Sequence, residues 1–423
     1  MEPTLAPAGY RSRAADAVIA EALARMPAVV IEGPRGCGKT WAARNAARSE
    51  VLFDGDVNAR TLAVVAPHLV LDGAEPRLLD EWQLAPEIWN QARHACDETN
   101  RRGRFILTGS AVPPDDHTRH SGAGRMARVR LRPMSLFETG ESTGDVSLGA
   151  LLGGERIAAP RPDAGVEDIV DAICRGGWPR HLGMPASTAQ RALEDYLTEI
   201  CRTDISAVDG VRRDPAGVRR LLTSLGRNVA ATASFSTLAA DAAGPRSLNR
   251  TTATEYLRSL ERLFVVEDVP QWPAHLRSRA AVRGAAKRHF VDPSLAAAAM
   301  GAGPSRLLRE LGVVGFLFES LVVRDLRVYG GVNDAAVYHY RDDTKLEVDV
   351  ILQTRDGTWL AAEVKLGGPD AVEGAARSLL RLRDRVDTDR IGPPAKLAVI
   401  GATGYAYDRP DGITVLPITS LGP

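Results

Sequence analysis

Short unbroken apolar runs recur along the first third of the chain, each closed by a polar or small residue: residues 27–31 before Gly33, Leu78-Leu79 before Asp80, and Phe105-Ile106-Leu107 before Thr108. Runs of this length predict strands. Residues 41–48 are rich in good helix formers and lack proline and glycine, which predicts a helix directly after the first strand. Residues 141–165 hold much Gly, Ser, Ala and Pro with little periodicity, the pattern of a surface insertion or a domain edge. Beyond Trp178 helical spacing takes over, with Leu193, Tyr196, Leu197 and Ile200 on one face of residues 189–202 and a similar repeat in 218–229. A short helix (236–243), a turn at Gly244-Pro245, a longer helix (249–263) capped by Ser247 or Asn249, and a strand (264–269) come next. From Gly315 an apolar helix carries Glu319, and three strand-like runs follow at 337–341, 346–352 and 359–365. The sum is an α/β protein in several parts.

The junction of the first strand and helix carries the sharpest chemistry, Gly33-Pro34-Arg35-Gly36-Cys37-Gly38-Lys39-Thr40. Gly33, Gly36 and Gly38 let the backbone curl with its N–H groups inward, Lys39 reaches the β and γ phosphates of a nucleoside triphosphate, and Thr40 offers a hydroxyl to Mg²⁺. Residues 33–41, ending at Trp41, are therefore the expected nucleotide cradle. Such a loop needs an acidic partner on a neighbouring strand. Leu78-Leu79-Asp80-Glu81 supplies it, with Asp80 for the metal and Glu81 for the attacking water. Asp72, after Leu69-Val70-Leu71, lacks a following glutamate and is the weaker candidate. Thr108 or Ser110, at the end of the next strand, is placed to sense the γ-phosphate. In the arginine-rich stretch 119–132, Arg125 or Arg128 is the candidate finger for a neighbouring subunit.

Composition narrows the classes. The 423 residues suffice for about three domains. Lysine plus arginine equals aspartate plus glutamate at 53 each, so any nucleic-acid contact is local rather than a matter of bulk charge. No apolar run is long enough for a membrane span and no signal peptide opens the chain, which sets cytoplasmic as the expectation. Cys37, Cys96, Cys174 and Cys201 are scattered, without metal-ligand spacing or a disulfide framework. Only Lys39, Lys287, Lys345, Lys365 and Lys396 are lysines in a chain otherwise made positive by arginine, so a lysine here marks a place where a guanidinium does not substitute.

The order of these segments resembles bacterial and archaeal AAA-type ATPases in which a P-loop domain is joined to a winged-helix region and a C-terminal domain of restriction-endonuclease-like fold. The matching pieces are Gly33 to Thr40, Leu-Leu-Asp-Glu-Trp-Gln at 78–83, Phe-Ile-Leu-Thr-Gly-Ser at 105–110, Pro-Met-Ser-Leu-Phe-Glu at 133–138 and Gly-Gly-Trp-Pro at 176–179. The resemblance implies ATP and Mg²⁺ as ligands and slow hydrolysis. The expected organisation is an ATPase domain over 1–180, a helical and winged helix-turn-helix region over 181–300, and a restriction-endonuclease-like domain over 301–423. In the middle region the second helix presents Arg246, Arg250 and Arg258 to a DNA groove.

The last region can be tested by geometry. A three-residue hairpin loop at Arg355-Asp356-Gly357 pairs Thr354 with Thr358 and sets Asp349 opposite Glu363. Alternation then projects Asp349, Glu363 and Lys365 together. Two facing carboxylates repel unless a cation lies between them, and Mg²⁺ suits an oxygen site. Lys365 then lies beside the metal-bound water. The set looks like the active-site pattern of PD-(D/E)xK nucleases, with Val348 where the motif's name has proline and Glu319 matching the additional acid. Two functions are expected from this: an ATPase coupled to DNA binding and cleavage, or an ATP-dependent switch on a protein partner, in a toxin–antitoxin or stress-response setting, with a silent nuclease-like domain; a homo-oligomer is compatible with either.

Overall fold

The computed structural model describes residues 4–99, 101–110, 121–242, 248–275 and 284–423. They form two compact units. The first takes in Met1–Pro133, Asp204–Arg212 and Ser259–Phe264; the second takes in Met134–Thr203, Arg213–Arg258 and Val265–Pro423. The expected boundary at residue 180 thus falls inside the second unit.

The first unit is built on five parallel strands, β1 (Ala28–Glu32), β2 (Ser49–Leu52), β3 (Arg77–Asp80), β4 (Phe105–Gly109) and β5 (Met126–Arg130), in the order β2-β3-β4-β1-β5. Four of the five residues of β1 and all of β4 are buried, which explains their unbroken apolar text: helices cover both faces of a parallel sheet. The helices are α1 (Ala14–Arg25), α2 (Lys39–Ala46), α3 (Val57–Val65), α4 (Pro67–Leu71) and α5 (Glu87–Glu98). Val30, Phe53, Leu79, Ile88 and Leu107 share a core with Trp82 and Trp89, whose rings lie 4.7 Å apart. Because β1 sits between β4 and β5 while its chain runs on to β2 at the far edge, the sheet reverses its winding beside β1. The crevice past the carboxyl end of that strand is where ligands bind in such sheets. Residues 69–71 belong to α4, and Asp72, the weaker candidate acid, is exposed just beyond it.

The second unit begins with backbone held by buried charge. Met134 N–H donates to Gly177 O, Gly177 N–H donates to Asp292, and Leu136 N–H donates to Asp325. Arg324 bridges the two carboxylates at 2.8 and 2.7 Å, with all three side chains almost wholly buried. A Cβ on Gly177 would lie 1.9 Å from Met134 O, so this position admits glycine alone. The segments 133–138 and 176–179 therefore act as a structural latch, and this latch is why the chain from Met134 onward belongs to the second unit.

Helices α6 (Val166–Arg175), α7 (Ala186–Glu199) and α8 (Pro215–Arg227) pack around α11 (Pro293–Ala299), which is buried along its whole length. Between them stand α9 (Phe235–Asp241) and α10 (Arg250–Arg262), with Asn249 Oδ1 accepting from Thr252 N–H at the head of α10. Gly244, Pro245, Arg246 and Ser247 lie outside the described residues. The strand expected from 264 starts two residues later, because Phe264 takes a left-handed backbone with φ of 60°. Two short strands near the start of the unit are β6 (Val146–Ser147) and β7 (Ala158–Ala159); β8 (Val266–Val269) then pairs antiparallel with β9 (Lys287–Phe290).

The rest is a mixed seven-stranded sheet in the order β10-β11-β12-β13-β15-β14-β7. Its members beside β7 are β10 (Ala335–Arg341), β11 (Glu347–Thr354), β12 (Trp359–Lys365), β13 (Lys396–Gly401), β14 (Ala406–Asp408) and β15 (Ile413–Pro417). Helix α12 (Leu311–Val332) contacts β10, β11 and β12, and α13 (Pro369–Arg385) packs Ala375, Leu379 and Leu382 into a core with Val348, Ile351, Trp359 and Val399. The stretch 141–165 is woven into this unit: β6 pairs with β16 (Leu421–Gly422) and β7 with β14. No helix among the described residues is long and apolar enough to cross a membrane.

Candidate nucleotide site and a second charged cluster

The loop after β1 is shaped by positive φ at Gly36 (79°) and Gly38 (101°), the latter capping α2. Gly33 has no room for a side chain, since a Cβ would lie 2.0 Å from Leu131 O. Lys39 is buried and its ammonium donates to Gly33 O at 3.0 Å and Pro34 O at 2.9 Å, which folds it over the loop it is expected to serve. Cys37 is buried, its thiol against Leu131 O. Its carbonyl accepts from Arg13, which also donates to Arg132 O. Arg35 forms an ion pair with Asp204 at 2.9 Å, and Trp41 stands half-exposed on α2. Arg13 was not legible as part of the cradle, because nothing in its local sequence points to residue 37.

Asp80, at the carboxyl end of β3, is the acid that the loop meets. Its carboxylate accepts from Thr40 Oγ1 at 3.0 and 3.2 Å and from Thr108 Oγ1 at 2.5 Å. Burial raises its pKa, and the Thr108 and Thr40 hydrogen bonds act against that rise. Glu81 adopts a left-handed backbone (φ 53°), and its carboxylate takes hydrogen bonds from Ser110 at 2.8 Å and from Gln83. Thr108 also accepts from Glu81 N–H at 3.1 Å. A hydroxyl has one donor, so the donors of Thr108 and Ser110 are committed to Asp80 and Glu81. In this arrangement both position the acidic pair.

Arg125 lies elsewhere. It precedes β5 at the amino-terminal edge of a sheet whose carboxyl edge carries the loop, and it pairs with Asp97 at 2.7 Å. Arg128 pairs with Glu32 and lies over the Trp89 ring. Neither points into the cradle of its own chain.

The second cluster is in the C-terminal sheet. Gly357 has φ of 98°, Thr354 N–H donates to Thr358 O, and the ladder runs in register to Val350 opposite Ala362, so that one further step brings Asp349 to Glu363. Lys365 Nζ contacts Asp349 Oδ2 at 3.2 Å and Glu363 Oε2 at 2.7 Å, and Val364 N–H donates to Asp349 Oδ2. Glu319 arrives from α12. Between it and Asp349 lies Lys287 of β9, its Nζ 2.7 Å from Glu319 Oε1 and 3.3 Å from Asp349 Oδ1. Burial and then the charge of Asp349 push Glu363 up to about 8 and Glu319 up to about 7. Against its own burial, Asp349 is held low by Lys287 and Lys365. The cluster opens into a pocket of about 490 Å³ that also reaches Lys345, Ser378 and Arg381.

The donor sets differ in what they can hold. Thr40 and Asp80 offer a hydroxyl and a carboxylate oxygen side by side, which suits Mg²⁺. Around Asp349 both oxygens already have cationic or N–H donors, and no group of three or more His, Cys, Asp or Glu among the described residues is arranged to hold a metal. Lys287 escaped the sequence reading because its strand is 62 residues from Asp349, although the scarcity of lysine was a signal: three of five serve the two clusters.

Comparison with known proteins bears on the domain that carries the first site. An AAA domain model matches residues 25–140, and two domains of unknown function, DUF8612 and DUF4143, match 166–306 and 314–421. The uncharacterized proteins Rv2008c of Mycobacterium tuberculosis and Mb2031c of Mycobacterium bovis are each 26% identical over 97% of this chain and 84% of their own. Among solved structures, the Walker-type ATPase Paby2304 of Pyrococcus abyssi matches with a TM-score of 0.44 at 13% identity, over 71% of this chain and 98% of that one. The replication initiator DnaA bound to AMPPCP and single-stranded DNA gives 0.27 at 16% identity, over 58% and 86%. These structural likenesses are too distant to transfer a function. Over residues 25–140 the chain is similar to AAA domains, in keeping with its parallel sheet and glycine-shaped loop.

Proposed function

We propose that this protein is a Mg²⁺-dependent ATPase working as a nucleotide-dependent switch, whose C-terminal unit is nuclease-like in fold and does not cleave. The observation that carries the ATPase reading is the contact of the Thr40 hydroxyl with the Asp80 carboxylate at the foot of a glycine-shaped loop, beside a glutamate held by two donors. The triphosphate lies along the N–H groups of residues 33–40, with Lys39 turning from Gly33 O and Pro34 O to the β and γ phosphates. Thr40 and Asp80 would hold the metal, and the chemistry it would supply is to offset the charge that develops on the phosphate. Glu81 orients the attacking water and takes its proton, while Ser110 and Gln83 fix where that carboxylate points. Arg125, half-buried at the opposite edge of the sheet and paired with Asp97, takes no part in the cradle of its own chain.

Against the cleaving alternative stands the pair of lysines seated among Glu319, Asp349 and Glu363 where that alternative needs a metal. What the switch acts on is read from hydrolysis. Arg250 and Arg258 are exposed on α10, so stimulation by DNA that is lost on charge reversal there assigns a DNA partner, and indifference to DNA favours a protein partner.

The test is a matched set of assays on wild type, Lys39→Ala and Glu81→Gln. Lys39→Ala is expected to lose binding of a fluorescent ATP analogue. Glu81→Gln is expected to keep binding and lose roughly 10²- to 10⁴-fold in turnover, the usual size of a general-base contribution. Full turnover in Lys39→Ala refutes the site, and Mg²⁺- or Mn²⁺-dependent cutting of DNA or RNA that vanishes in Glu363→Ala refutes the silent module.

A further inference from the structure

The C-terminal cluster holds three acids and two ammonium groups, and the ammonium groups come from different places in the chain. Lys365 belongs to the same strand as Glu363 and is half-open to solvent. Lys287 comes from β9, is buried, and lies between Glu319 and Asp349 at 2.7 and 3.3 Å. A divalent ion needs several oxygens directed at one point. Here Asp349 Oδ1 faces Lys287, Asp349 Oδ2 faces Lys365 and Val364 N–H, and Glu363 Oε2 faces Lys365. In a chain with five lysines against a large excess of arginine, a lysine here is informative. A compact ammonium fits a position where a planar guanidinium is too wide.

We propose that Lys287 is a built-in cation: its ammonium occupies the place between Glu319 and Asp349 that a divalent metal would take, so these two acids take their counter-charge from the chain itself and the place is closed to metal. This rests on the reading of the C-terminal unit as a silent nuclease-like module, and it gives that silence a residue. It also makes the closure reversible by one substitution. Removing the ammonium leaves Glu319 facing Asp349 Oδ1 with no cation between them, Lys365 remaining on Asp349 Oδ2, and opens a vacancy that Mn²⁺ or Mg²⁺ fills.

The experiment is a Mn²⁺ titration of the full-length chain without nucleotide, followed by electron paramagnetic resonance, on wild type, Asp349→Asn, Lys287→Ala, Lys287→Met and Lys287→Ala/Asp349→Asn. Wild type is expected to show no saturable site up to about 10 mM, and Lys287→Ala or Lys287→Met to gain one with a dissociation constant on the order of 0.1–1 mM that the added Asp349→Asn removes. Thermal melts accompany each titration, with Mn²⁺ raising the midpoint of the Lys287 variants and leaving wild type unmoved. Should the alanine variant fail to fold, the methionine variant keeps the volume. The inference is overturned by one equivalent of Mn²⁺ on wild type that Asp349→Asn abolishes, or by folded Lys287 variants that gain no site. Because no nucleotide is present, either result leaves the ATPase reading standing or falling on its own assay.

Discussion

Thr108 is the residue whose replacement separates a positioning role from a phosphate-sensing one. It is wholly buried, donates to Asp80 Oδ1 at 2.5 Å and accepts from Glu81 N–H at 3.1 Å. Thr108→Val keeps the shape and removes both bonds. A hydrogen bond to a charged group contributes about 1.5–3 kcal/mol and a stranded buried N–H costs about 1–3 kcal/mol. With partial relaxation, the first unit should lose about 3 kcal/mol in urea unfolding at neutral pH. The same bond holds the Asp80 pKa down against burial, so its loss moves that pKa further up. The sign follows: a carboxylate with a raised folded pKa is ionised only at higher pH, so the acidic limb of the ATPase profile should shift to higher pH in Thr108→Val. Loosening Asp80, the proposed metal ligand, by about 2–3 kcal/mol corresponds to roughly 30- to 150-fold in turnover at neutral pH. Thr108→Ser should restore stability, the acidic limb and most of the rate. A valine variant as stable as wild type, with an unshifted acidic limb, refutes the positioning role; if its turnover nonetheless collapses, Thr108 touches phosphate instead.

Two further predictions concern the second unit. Gly177→Ala places a Cβ 1.9 Å from Met134 O and 2.6 Å from Met134 N, both backbone, so the latch through Asp292 and Arg324 must shift. A cost of about 3 kcal/mol, seen as a fall of roughly 5–10 °C in the midpoint of this unit's transition, is expected, and an unchanged midpoint would show that the latch yields freely. His339 is buried, its Nε2–H donates to Ala285 O at 3.0 Å, and its pKa is pushed down to about 4 by burial and then by the charge of Lys287. A depressed folded pKa means stability that is present above about pH 6.5 and is lost as pH falls towards 4, roughly 2 kcal/mol of it by pH 5. His339→Gln should flatten that part of a urea-stability profile, and a profile of unaltered slope would remove His339 as its source.

The nucleotide cradle was legible because its chemistry is local. Gly33 to Thr40 are contiguous, and the strand and helix on either side follow from apolar text and helix propensity over a few residues. Asp80, Glu81, Thr108 and Ser110 were legible at one remove, since each closes an apolar run and a parallel sheet brings the carboxyl ends of its strands to one edge. The hairpin at residues 355–357 fixed the partner of Asp349 for the same reason: a short loop determines register by counting. What the hydroxyls of Thr108 and Ser110 donate to was hidden, because a hydroxyl's choice of acceptor depends on distances that no sequence spacing states.

By itself, then, the amino-acid sequence determined the glycine-shaped loop between strand and helix and which acids stand near it, for those depend on adjacent residues and on the period of a strand. Tertiary structure alone decided that Arg13 braces the loop, that residues 133–138 and 176–179 form a latch around Arg324, and that an ammonium from β9 sits among the C-terminal carboxylates. Each of these joins residues far apart in the chain. Long-range pairing of charges is fixed by how whole elements pack, and burial then makes the pairing obligatory, because a lone charge without water or a partner costs several kcal/mol.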